Sequence, residues 1–280
     1  MLLHCTAGLA GALGLAVKAI HVNHRLHPNA DHWERFCRRQ SQRLGVPLVA
    51  RRVAVPSTTG LGLEAAARQA RYGAFETVPA DMVLLGHHRD DQAETVLFNL
   101  CRGGGPKGVS GMRMARGRYV RPFLELDRAA LERYARAHGV EWVEDDSNGD
   151  PALTRNYLRH ELLPRLECAI PAASRNIAAA ADRFREACVL LDDLARLDLA
   201  EHAAGFPVPR RRFRDLPELR ARNALRYLLD QAGVPISGDE RLREAVRQLQ
   251  SARPDRHPEI LFGEWRVSCA RGAVTLDRSV

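Results

Sequence analysis

The sequence predicts an α/β protein, with a doubly wound, mostly parallel sheet over residues 1–150, a helical linker over 151–204 and a small α+β domain over 205–280. Three observations predict it. From Leu15 to about Asp146, short apolar or β-branched runs alternate with longer amphipathic stretches, the pattern of strand-helix-strand units around a parallel sheet. After Pro151 the alternation stops, and apolar residues recur at three- and four-residue spacing. From Phe206 a basic helical stretch, a further helix and a hairpin follow in close succession.

The chain opens in a helix, "MLLHCTAGLAGALG", and passes into the strand "LAVKAIHVNH". The helix "DHWERFCRRQSQRLG" then leads to the strand "PLVARRVAV", and "LGLEAAARQARYGAFETV" leads to "DMVLLGHH". The helix "DQAETVLFNLCR" precedes the strand "YVRPFLEL", and "DRAALERYARAHG" precedes "VEWVED". Each strand is followed by a helix, as right-handed crossovers require. A doubly wound sheet ordinarily opens with a strand whose loop binds the ligand's phosphates. Here that first strand and loop are expected to be missing. "RNYLRHELLPRLECA" and "ASRNIAAAADRFREACVLLDDLARLDLAEHAA" read as linker helices. In the last domain "DERLREAVRQLQ" reads as a helix and "EILFGEWRVSCARGAVTLD" as a hairpin turning at Arg271 and Gly272.

No apolar run of the 280 residues approaches the ~20 needed to span a membrane, and the cytoplasm is the expected location. Cys5, Cys37, Cys101, Cys168, Cys188 and Cys269 stand singly, without the close pairing of a zinc or redox motif. The formal net charge is +8, and Lys18 and Lys107 are the only lysines, so the excess is almost all arginine. Such a balance suits an anionic partner such as nucleic acid, and it equally suits an arginine-rich composition without one.

Chemistry concentrates in "LLGHHRDDQAETVLFNLCRGGGPKGVSGM", Leu84 to Met112. His87 and His88 end a buried strand, where such sheets bind ligands. Asp90 and Asp91 follow at a helix start, and Asp91 with Glu94 has the spacing of a capping box. A cap explains one aspartate and the glutamate without chemistry. Two adjacent carboxylates beside two histidines exceed that need: such a set can hold Mg²⁺ on phosphates, or orient an amine and take its proton. The glycine-rich stretch beyond offers close backbone approach, with Arg102 for an anion.

This stretch, with "HVNHRLHP", "EAAARQARYGAF" and "DDSNGDPALTRNYLRHELLP", resembles the tRNA(Ile)-lysidine synthetase family of the PP-loop ATPase superfamily, over nearly the whole chain. The resemblance implies an adenine nucleotide α-hydrolase-like fold, ATP with Mg²⁺ as cofactors, and tRNA(Ile) with a CAU anticodon and free lysine as partners; it allows a homodimer. It implies a ligase that adenylates the 2-oxygen of the wobble cytidine and lets the lysine ε-amine displace AMP. Asp91 and Glu94 would bind and orient the amine, with Glu94 accepting its proton and Asp90 and His88 in support. Arg68, Arg102, Arg155, Asn156 and Arg159 would meet the cytidine, phosphates or AMP, a task suited to the planar arginine fork. Val22, Asn23 and His24 would lie near adenine. Arg210, Arg211, Arg212, Arg214 and Arg222 would meet tRNA; the metal ligands are unassigned. Arg68, Arg71 and Arg155 as solvated helix charges, Asn148 as a turn residue and His24 as a hydrogen-bonded strand end are the bland alternatives.

The family's S-G-G-x-D-S phosphate loop does not occur in this sequence. The opening "MLLHCTAG" corresponds to the helix after that loop, so Met1 reads as an internal methionine of a longer protein, and the chain as written is expected to bind ATP weakly. A related 2-thiocytidine enzyme is the competing assignment, but its expected C-x-x-C cysteines are lacking. A non-catalytic RNA-binding remnant is the other.

Overall fold

The alternation of the first half becomes a set of short parallel strands between helices. The computed structural model describes residues 1–56, 63–144, 154–236, 238–252 and 258–279, in two compact units, Met1–Asp182 and Arg183–Val280. Helix α1 (Leu2–Ala10) leads to strand β1 (Ala19–Asn23), helix α2 (Ala30–Arg43) and strand β2 (Leu48–Arg52). β1 and β2 pair in parallel, Ala19 opposite Leu48 and Asn23 opposite Arg52. Helix α3 (Leu63–Glu76), strand β3 (Val83–Leu84), helix α4 (Arg89–Cys101) and the single turn α5 (Pro106–Val109) follow, then strands β4 (Ala115–Arg116) and β5 (Tyr119–Val120) and helix α6 (Arg128–Ala137).

β5 runs parallel to β3 and antiparallel to β4. β3 and β5, of two residues each, are much shorter than their apolar runs. β5 ends just before Pro122, which has no N–H to donate to a ladder. The strand expected at "VEWVED" does not form over residues 140–144; the carboxylate of Glu141 is instead engaged by Gln40 at 2.9 Å and Arg43 at 3.1 Å, both on α2. Among the described residues β1–β2 and β3–β5–β4 are separate sheets. A cavity of about 1300 Å³ is lined by residues of both, including Ile20, His21, Val83 and Leu84, with Met1 to His4 of the α1 segment.

Helix α7 (Thr154–Tyr157) continues through a π-helical turn, Leu158–Leu162, into α8 (Leu163–Ala169). The long α9 (Ala173–Leu199) follows. Asn148 lies outside the described residues, as does the junction around Pro151.

The second unit has a dense core. After α9 come β6 (Val208–Pro209), α10 (Arg211–Arg214), α11 (Glu218–Gln231) and α12 (Asp239–Ser251), then β7 (Glu259–Phe262), β8 (Trp265–Ala270) and β9 (Ala273–Arg278). The apolar residues of α11 and α12, Leu225, Leu228, Leu229, Leu242, Val246 and Leu249, are wholly buried, packing with Phe213, Val267 and Val274. The expected hairpin is one part of an antiparallel sheet of order β6–β9–β8–β7. Its turn falls at Arg271 and Gly272, whose φ values of 51° and 75° are those of a two-residue mirror-image turn. A second turn, at Gly263 and Glu264, and the added strand β6 went unread in the sequence.

Candidate active site

Helix α4 begins at the end of β3, and its first turn sets the site. His88 is the N-cap: its side chain accepts from the Asp91 N–H, while its own N–H donates to Asp91 Oδ2 at 2.9 Å. The capping box therefore lies three residues earlier than the pairing of Asp91 with Glu94 that the spacing suggested. Asp91 fills the role expected of Glu94, and Glu94 is left with no capping duty.

Glu94 points into the protein and is only 2% exposed. Its two carboxylate oxygens accept from Arg159, Nε to Oε1 at 2.6 Å and Nη2 to Oε2 at 2.9 Å. The same Nη2 donates to Asp91 Oδ1 at 3.0 Å. Two acids on successive turns of one helix thus converge on one cation. Burial pushes the Glu94 carboxyl above its ordinary value, although the Arg159 hydrogen bonds pull it down. A carboxyl raised by burial and aimed at a cation can both bind an amine and exchange a proton with it.

The glycine-rich stretch lies back on α4. Gln92, also buried, clamps the chain at Met112: its Nε2 donates to the Met112 carbonyl at 2.9 Å, and its Oε1 accepts from the Met112 N–H at 2.7 Å. Gly111 takes φ +63°, and a Cβ there would stand 2.7 Å from Gln92 Oε1. At Gly104 an added Cβ would meet the Asn99 carbonyl oxygen at 2.7 Å. These two glycines serve close approach of the loop to its own helix, where the sequence suggested approach to a ligand.

Around His87 gather Arg68 and Arg71 of α3 and Arg121 beyond β5. Arg68 Nη2 and Arg121 Nη2 each reach the Tyr72 hydroxyl at 3.5 Å, and the Arg68 guanidinium lies 5.2 Å from the Tyr72 ring centre. Arg121 is buried and donates to the Arg113 carbonyl at 2.9 Å. Burial pushes His87 down to about 4, with Asp91 opposing and Arg121, Arg68 and Arg71 reinforcing, so its ring is neutral at pH 7. The Nδ1 atoms of His87 and His24 are buried without a hydrogen-bond partner. Burial, then Arg71 and His21, lower His24 as well. Arginines beside unpartnered imidazole nitrogens fit an anionic ligand with acceptor and donor groups, as a nucleotide has. Arg121 was not singled out in the sequence, His87 was placed only at a strand end, and Arg71 was named only as a solvated helix charge, although its three-residue spacing from Arg68 on α3 was an available signal.

Other expected residues lie elsewhere or are otherwise engaged. Asp90 turns to the next helix, its Oδ2 accepting from the Arg128 N–H at 3.2 Å. The Asn23 amide is held by Asp31 at 3.0 Å and Glu34 at 3.1 Å, its Oδ1 accepts from the Arg25 N–H, and its carbonyl accepts from the Val53 N–H at 3.0 Å, so Asn23 is engaged within the fold. Val22 sits within β1 opposite Arg51. Arg102 and Arg155 flank the Phe98 ring at 5.1 and 5.4 Å from its centre, Arg155 also pairing with Glu64 at 2.7 Å; Asn156 is buried. Among the described residues no group of three or more His, Cys, Asp or Glu side chains converges on a metal position.

In the second unit the Arg210 guanidinium is built into the fold. It donates to the Leu249 carbonyl at 2.6 Å and to the carbonyls of Gln250 and Ala252, closing the end of α12. The physical reason is that the last carbonyls of a helix have no intrahelical donor. Arg212 pairs with Glu201 at 2.9 Å, Arg214 with Asp215 at 2.9 Å and Arg222 with Asp239 at 3.3 Å. Arg211 is exposed.

Parallel strand pairs between helices, with acids, histidines and arginines gathered near the strand ends, define a nucleotide-binding α/β class, and residues 1–166 match the PP-loop domain family. Residues 209–275 match the TilS substrate binding domain. The chain belongs to the PP-loop domain family. It is 44% identical to the tRNA(Ile)-lysidine synthase of Azoarcus sp. (strain BH72) over 273 residues, 95% of this chain and 60% of that one. It is 36% identical to the enzyme of that name from Nitrosomonas europaea over 98% of this chain and 61% of the other. The chain thus spans about 60% of the length of the relatives it matches. Among solved structures, the U34-tRNA thiolase NcsA from Methanococcus maripaludis aligns with a TM-score of 0.52 at 14% identity, covering 66% of this chain and 68% of that one. At that identity the likeness speaks for the fold alone. No helix among the described residues is long and apolar enough to cross a membrane.

Proposed function

We propose that this chain carries the catalytic and tRNA-contacting parts of a cytoplasmic ATP-dependent ligase that joins free lysine to the 2-position of the wobble cytidine of tRNA(Ile) with a CAU anticodon. The observation that carries the reading is the convergence of Asp91 and Glu94 on one cation, which is the arrangement an ammonium substrate needs. ATP, as substrate, supplies the adenyl group that makes the cytidine 2-oxygen a leaving group. Arg68, Arg71 and Arg121 would face its phosphates, and Val22 and His24 its base, with Asn23 bracing the strand end between them. Asp91 holds the lysine ε-amine. Glu94, raised by burial, takes the proton that the ammonium must lose before nitrogen can attack. His87, neutral at pH 7, adds no positive charge against the incoming amine. His88 supports Asp91 through the cap, and Asp90 supports the site by tying α4 to α6.

Mg²⁺ would be held by the phosphates of ATP together with one or two carboxylates, as is usual for that ion. The functional division is residues 1–150 for catalysis, 151–204 as helical linker and 205–280 for tRNA. Arg211, Arg212, Arg214 and Arg222 are the phosphate contacts, Arg210 holding the fold beneath them, and a homodimer fits this use. Transfer of labelled lysine to a transcribed tRNA(Ile) tests the reading. Glu94→Gln keeps the shape and loses the base, so transfer should fall ~10²-fold or more, a typical general-base contribution. Undiminished incorporation by the variant refutes it.

A further inference from the structure

We infer that Arg159 is an internal competitor for the amine, closing the Asp91–Glu94 site until a substrate cation displaces it; this rests on the reading of that site as an amine site. The argument is one of occupancy. Both oxygens of Glu94 and Oδ1 of Asp91 accept from Arg159, and Oδ2 of Asp91 accepts from the His88 N–H. Every oxygen of the carboxylate pair therefore has a donor already. Glu94 is too deeply buried for a second cation to approach alongside the first. A lysine ε-ammonium carries the same charge as the guanidinium and, like it, only donors. It would bind the same acceptors, and the two exclude each other.

The arginine is mounted so that it can leave. It sits in the π-helical turn Leu158–Leu162, an irregularity that often marks functional positions. Leu158 and Leu163 on either side are buried and fix the backbone. Release is then a rotation of the long side chain, of which 27% is already exposed, with no displacement of the helix. A site that is open for only a fraction of the time binds its ligand more weakly by that fraction. If Arg159 closes it nine-tenths of the time or more, its removal should tighten amine binding by about tenfold or more.

Arg159→Met keeps the apolar stem and removes the charge. Binding of L-lysine to the 280-residue chain would be measured by calorimetry for the wild type, Arg159→Met and Arg159→Met with Glu94→Gln, with thermal melts to verify folding and Arg159→Gln as a second variant. The expected result is binding at least about tenfold tighter in Arg159→Met, lost again when Glu94→Gln is added. Lysine binding weaker than wild type, or equal to it with no gain for a second cationic probe, would overturn the inference, because an arginine that positions substrate is missed when it is removed. Methylguanidinium is the second probe. If it binds Arg159→Met and not the wild type while lysine binds neither, Arg159 is the competitor and lysine is the wrong amine. If neither probe prefers the variant, the inference falls.

Discussion

Replacing Gly111 by alanine should destabilise the first unit by ~3–4 kcal/mol, and the structure supplies the parts of that figure. The residue has φ +63°, which costs a side chain about 1 kcal/mol. The new Cβ would lie 2.7 Å from Gln92 Oε1 and 2.9 Å from its Nε2, so the amide must turn away. Turning breaks the two hydrogen bonds to Met112 and leaves buried polar atoms without partners, about 1 kcal/mol or more for each bond. The steric part needs Gln92; the backbone part does not. A double-mutant cycle separates them: in a Gln92→Ala background Gly111→Ala should cost only ~1 kcal/mol, a coupling of roughly 2–3 kcal/mol. With two compact units the unfolding signal must belong to one of them. A Trp265→Phe background leaves Trp33 and Trp142, both in the first unit, as fluorescence reporters for urea unfolding. A cost below 1 kcal/mol, or the same cost in both backgrounds, would refute the clamp as the reason for this glycine.

Two further outcomes follow from the described contacts. Arg210→Met should lower the stability of the second unit by ~2–4 kcal/mol in urea titrations followed by Trp265, since it strips donors from the end of α12, while leaving the salt dependence of tRNA binding unchanged. A flatter salt slope in a stably folded variant would instead make Arg210 a phosphate contact. The Glu34 carboxyl is held down at about 2 by hydrogen bonds from Arg38 and Asn23, with Arg52 adding to them, against an ordinary value of 4.5. A depressed acid contributes stability that is whole above pH 4.5 and is lost as pH falls toward 2. Glu34→Gln should therefore cost about 1–2 kcal/mol at pH 7, a figure kept low because Arg38 and Arg52 are half exposed, and the difference should shrink across that acid window in pH-dependent melts. A pH-independent difference would assign the effect to packing.

The sequence by itself determined what local chemistry can determine. The helices over 31–45 and 127–139 follow from apolar spacing within a few residues, and the Arg271–Gly272 turn from residues that tolerate positive φ. The acids of the site were legible because they lie within one short stretch at a strand end. The sequence also limited the acid pair to capping or chemistry, but spacing alone could not apportion the roles: both Asp91 with Glu94 and His88 with Asp91 are three residues apart. The backbone at His88, extended at φ −122°, decided it.

Only the tertiary structure decided which cation meets which anion. Arg159 is 65 positions from Glu94 in the chain, and Arg210 is 39 from the carbonyl it satisfies at Leu249. Neither pairing leaves a mark at helical or strand spacing. An arginine's fate turns on whether packing brings it against an unpaired acceptor or leaves it in water, and that is a property of the folded chain rather than of its neighbours in sequence. The same reason left residues 140–144 without a strand: an apolar run can become a strand only where another strand's unpaired edge is within reach.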